Sequence, residues 1–165
     1  MLLATVSSNG YRIVLALHIL AAIVGFGSVL LNGVYAAKAR GRGGAEGAAI
    51  ADANYDVSFG VSIWFIYAVI VLGLALVGMS SKLIKFSQTW VWLSIVLYVV
   101  IIGLVHGVHR PNLRRLHELM RQGTAADREE MERRDRLAAV MGAVLIVLLV
   151  VIVFLMVMKP GGPKI

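Results

Sequence analysis

With 165 residues, 59% of them hydrophobic and only 15% charged, the chain has too little polar surface for a soluble globule, and its mean hydropathy of +0.85 marks a membrane protein. The formal net charge of +7 comes from basic residues that flank apolar runs, with no separate basic domain and no interleaved aromatics; this points to topology and anionic headgroups and excludes a nucleic-acid partner. The lack of cysteine excludes disulfides, thiolate metal sites, iron–sulfur ligation and cysteine nucleophiles.

A hydrocarbon core of about 30 Å takes roughly 20 residues of helix, and four stretches approach or exceed that: 13–37, 57–79, 90–108 and 137–158. They are continuously apolar and punctuated by Gly, Ala and Ser, unlike the alternating pattern of membrane strands. The expected fold class is all-α: a single domain over 1–165, an antiparallel bundle of four transmembrane helices in the lipid bilayer.

Nothing basic precedes Arg12 and the first run is too long for a signal-peptide core, so it reads as a retained helix. Within it His18, Ala21, Gly25, Ser28 and Asn32 fall in an arc of about 80° on an ideal helix. This stripe of small and polar residues is expected to face protein, where small side chains let helices approach and Asn or Ser can bond across the contact. The segment 39–54 is rich in Gly and Ala (Gly41, Gly43, Gly44, Gly47) and reads as a flexible connector.

The second span offers Ser58, Ser62 and Gly73 on one face and Trp64 and Tyr67 on another. Trp90 and Trp92 open the third span and, with Tyr11, suit the headgroup zone. That span carries Ser94, Tyr98, Ile102, His106 and His109 on one broad face, with His109 read as interfacial beside Arg110. Beyond it, 110–136 is expected to form a charged helical hairpin, so that the third and fourth helices project past the bilayer. Thr124 with Asp127 is capping-box-like, and Glu129/Arg133, Glu130/Arg134 and Glu132/Arg136 are acid-before-base pairs at helical spacing. His117 is read as solvated. The fourth span is wholly apolar, with Ala138 and Gly142 as a small-residue contact.

Lys38, Arg40 and Arg42 and the eight arginines of 110–136 lie on one side of such a bundle. Lysine and arginine excess marks the cytoplasm, so loops 1 and 3 are expected inside and both termini outside the cytoplasmic membrane of a bacterium. No internal repeat, phosphate-cradling loop, paired intramembrane carboxylates or Ser/His/Asp set is evident, which disfavours a hydrolase or a nucleotide-driven pump.

An ionisable group inside a span is expensive and is a site hypothesis by default. His18 fits best, as an axial ligand to haem b, a ligand for copper or another transition metal, or a proton relay; His106 is the second candidate. The two cannot clamp one haem, because helix rise separates them by ~20 Å in depth. The methionines show no copper-transfer clustering.

The run Leu17-His18-Ile19-Leu20-Ala21-Ala22-Ile23-Val24-Gly25-Phe26-Gly27 resembles the opening helix of an uncharacterised bacterial predicted-integral-membrane family. That family is similar to the broad four-helix group holding the copper-resistance CopD proteins and HemJ-type protoporphyrinogen oxidases. The resemblance implies a haem-associated histidine at His18, with Lys38 a loose counterpart of the group's lysine. Val24, Gly25 and Phe26 replace the usual aromatic residue and Ala-Gly pair. Three functions stay open: a haem- or metal-associated redox or cofactor-handling protein, an accessory subunit binding a membrane-protein partner or a second copy, and a small-solute transporter. Enzyme and non-enzyme readings are both open at this stage.

Overall fold

The computed structural model describes residues 8–42, 44–81, 83–122 and 127–162. Within them the chain is helical, in four long elements: α1 Asn9–Arg42, α2 Gly44–Met79, α3 Thr89–Arg121 and α4 Arg128–Met158. Each is long and apolar enough to cross a membrane, as composition required. They form two antiparallel hairpins, α1 with α2 and α3 with α4, joined by contacts of α4 with α1 and of α3 with α2. One end of the bundle carries most of the arginines; the other carries Trp90, where α1 begins and α4 ends.

The expected connector at 39–54 is a correction. α1 runs to Arg42, and α2 opens at Gly44, whose φ of +51° glycine adopts without the usual Cβ penalty. Ala45–Ala53 is alanine-rich, and alanine is the best helix former, so this stretch winds as the first turns of α2. All four helices, not only the last two, therefore overrun their apolar spans at the arginine-rich end.

The core contains Ala21 and Phe26 from α1, Ile63, Ile66 and Val69 from α2, Tyr98, Ile101 and Val105 from α3, and Leu145, Leu149 and Ile152 from α4. Lipid is as apolar as these side chains, so close packing and interhelical hydrogen bonds hold them together, with little help from hydrophobic burial. The Tyr98 hydroxyl donates to the Ile66 carbonyl, which ties α3 to α2. Tyr98→Phe is expected to lower stability in detergent by about 1 kcal/mol, read as a reduced thermal midpoint with an unchanged helical spectrum.

At the opposite end Ser80 is fully buried; its hydroxyl lies 2.8 Å from the Val77 carbonyl and accepts from the Ile84 amide at 3.1 Å, fixing the corner between α2 and α3. Tyr11 and Trp90, expected as headgroup anchors, are packed inside the protein, and Lys159 lies over the Trp90 ring; Trp92 is the outward one. At the arginine-rich end Asn112 is buried and donates to the Arg134 carbonyl at 2.8 Å, clasping α3 to α4. Of the three expected acid–base pairs Glu130–Arg134 forms, and Arg115 joins it from α3. Arg134 first and Arg115 next hold the Glu130 carboxyl below the usual range. Thr124 lies outside the described residues.

Candidate functional site

The stripe on α1 lies along α2. His18 Nδ1 is 2.9 Å from the Val69 carbonyl oxygen, and since a carbonyl only accepts, Nδ1 carries the proton and Nε2 of the neutral ring is the unprotonated nitrogen. Gly73 makes the room, because a Cβ there would stand 3.2 Å from His18 Cε1. Ala21 is buried, and Gly25 abuts Ile66. Ser28 donates to the Gly25 carbonyl at 2.7 Å, and Asn32 Oδ1 accepts from Ser58 Oγ at 2.9 Å.

His106 and His109 share a face on an ideal α-helix, but the structure separates them. Val105–His109 is a π-helical turn, whose wider winding advances the chain less per residue and so spreads positions three apart. His106 turns to α2, where its Nε2 is 2.5 Å from the Tyr67 hydroxyl and the two rings are nearly parallel. His109, expected at the interface, instead lines the interior of the bundle; its Nδ1 is buried and has no hydrogen-bond partner among the described residues. His18 and His106 thus engage α2 through different residues and do not meet on a common group.

A second π-helical turn, Ser58–Ser62, lies in α2. Both turns open on one cavity of about 370 Å³ at the arginine-rich end, between all four helices. Its walls include Ser28, Asn32 and Ala36 of α1, Ser58 and Ser62 of α2, Val105 and His109 of α3, and Ala139, Gly142 and Leu145 of α4. Ser58 is the donor to Asn32 Oδ1, which leaves the Asn32 amide hydrogens available to an occupant.

The mouth is framed by polar and charged groups already committed to each other. Arg40 of α1 binds Asp135 of α4 at 2.9 Å. His117 of α3 contacts Asp52 of α2 directly and stacks on Tyr55. The solvated reading of His117 is thereby corrected: once 44–57 is helix, Asp52 is carried to α3. The recess beyond, between Tyr55, His106, Arg110 and Arg114, lies on the outer side of α3, and Arg110 stacks on Phe59.

Sequence reading singled out Asn32, Ser58 and Ser62, set His109 at the interface and not in the interior, and missed Asp52. The signal for both was available only from a non-α winding in α3 and from helical structure where glycine suggested a loop. No cluster of three or more His, Asp or Glu side chains able to hold a metal occurs among the described residues, so a metal at His18 would have to rely on that imidazole with ligands from elsewhere.

No curated protein and no solved structure matches the chain. A family model described as predicted integral membrane protein (DUF2269) matches residues 12–160. The match covers all four helices and agrees with their length and apolarity, and the chain belongs to that predicted integral membrane protein family.

Proposed function

We propose that this protein is a membrane-embedded binding protein that takes a small molecule into the cavity among its four helices from the arginine-rich end. The supporting observation is that π-helical turns in two different helices both fall on the wall of this one cavity. Such turns bond less well than α-helix and recur at functional sites. Here they accompany His109 Nδ1, which is buried with no hydrogen-bond partner among the described residues, and Asn32, whose Oδ1 is engaged by Ser58. The volume is within the range of small-molecule sites.

The cavity is blind. Beyond Ile66 and Leu145 the bundle is filled by Ala21, Val69, Tyr98, Leu149 and Ile152, which favours capture and presentation of a ligand over passage across the bilayer. The lysine and arginine excess at that end supports a mouth on the cytoplasmic side. Native mass spectrometry of protein purified in mild detergent, followed by solvent extraction, tests the reading: a small molecule bound near one per chain is expected. Protein that stays empty after exposure to total membrane extract and cytosol would overturn it.

A second reading is favoured by the tether of His18. A ring whose Nδ1–H is held by a carbonyl is oriented for ligation through Nε2, the arrangement found behind many metal-bound histidines. This chain's His18 would hold the iron of haem b, which supplies electron-transfer chemistry when bound, while Val69 and Gly73 fix the ring. Purification from cells supplied with haem is then expected to give a Soret band that His18→Leu removes. A colourless wild-type protein sinks this second reading and leaves the first untouched.

A further inference from the structure

If the cavity holds a small molecule at all, as proposed above, its shape and polar groups restrict the kind. Along α1 its wall runs from Ser28 to Arg40, which is ~18 Å of helix at about 1.5 Å per residue. A cavity of about 370 Å³ that follows α1 for ~18 Å is drawn out along the helices, a slot suited to an elongated occupant. Most of its surface is aliphatic.

Polar groups gather part-way along the slot. Asn32 and Ser58 face each other through their hydrogen bond, and His109 comes to the same depth, since its neighbour Arg110 stacks on Phe59, the residue after Ser58. Asn32 Oδ1 already accepts from Ser58, which leaves both amide hydrogens of Asn32 for an occupant; His109 Nδ1, in the matching tautomer, offers another donor. A group with two acceptor lone pairs satisfies both. With His109 as a neutral donor the polar groups of the slot carry no charge, and at the mouth Arg40 is paired with Asp135 while His117 meets Asp52. An ionic group carried to this depth would be buried without a counter-charge.

We propose that the slot binds a neutral, elongated, mainly apolar molecule with a carbonyl group part-way along it, of the single-chain acyl ester or ketone class, whose carbonyl oxygen accepts from Asn32 and His109. Three probes of equal length, each ending in a diazirine, test this on the full chain in nanodiscs: a fatty-acyl methyl ester, the corresponding free acid, and the corresponding alkane. After irradiation and digestion, labelled residues are mapped by mass spectrometry.

The ester is expected to label residues of the slot about tenfold more than the alkane or the acid, the discrimination of one well-made hydrogen bond. Asn32→Leu and His109→Phe should each erase that preference while thermal midpoints stay near wild type, whereas His109→Gln, which keeps a neutral donor, retains it. Equal labelling by ester and alkane would overturn recognition of the carbonyl, and preferential labelling by the acid would overturn neutrality. In both cases the slot is still labelled, so the broader binding reading survives. Labelling that avoids the slot with all three probes overturns both.

Discussion

Replacing Gly142 with phenylalanine is expected to abolish ligand capture while leaving the bundle at least as stable as wild type. Gly142 is on the α4 wall of the cavity, and a Cβ built on it meets nothing within 4 Å, so the new ring enters open space and not a neighbour. Glycine in a helix interior costs about 1 kcal/mol relative to alanine, and phenylalanine recovers part of that. A ring projecting from this wall obstructs the path of an elongated occupant. Native mass spectrometry should show ligand occupancy falling by at least about tenfold, equivalent to 1.4 kcal/mol or more of binding. A Gly142→Phe protein that melts at the wild-type temperature and still carries its full complement of ligand would place the binding site elsewhere.

Gly47→Val is expected to do the reverse: it should damage the fold from a position that does not itself line the cavity. Gly47 is buried on α2, and any Cβ there would collide with the backbone carbonyl of Ala39 on α1, which is itself almost fully buried. A flexible side chain could swing aside, but a carbonyl locked in the last turns of a helix cannot. The collision sits beside the turn at Gly44, so relief would require prying α1 from α2. The cost is expected at about 3 kcal/mol, the upper range for overpacking, and should appear as a lowered thermal midpoint and weaker expression. Gly33→Val, on α1 with nothing within 4 Å of its would-be Cβ, is the control and should be nearly silent.

The contrast between these glycines shows what the sequence made legible. Four spans could be read directly, because the bilayer sets a length and apolar runs of that length stand out against charged flanks. The stripe from Ala21 to Asn32 was also legible, since small residues at helical spacing within a Leu, Ile and Val surface have to face something closely packed; α2 is what they face. Gly47 was not. In a segment with four glycines among alanines, composition suggested a tether, and only the neighbouring helix reveals that one of them is a point of contact. His109 was hidden for a different reason. Its direction depends on a π-helical turn, and helical-wheel reasoning assumes a constant rotation per residue. A polar residue at a break in winding is therefore the kind of site that periodicity alone misplaces.

The bundle is solid at one end and hollow at the other, and this has a mechanical consequence. The filled half, around Tyr98, Leu149 and Ile152, acts as a fulcrum; towards the mouth α4 is held by the Arg40–Asp135 and Asn112–Arg134 clasps around empty volume. Opening free energies are smallest where apolar contacts are fewest, so thermal breathing is expected to collect at the hollow end, the helices there acting as jaws about a fixed hinge. A guest of the right width would wedge between those jaws and stiffen them, making the arginine-bearing tips of the protein the part whose motion reports whether the chamber is full.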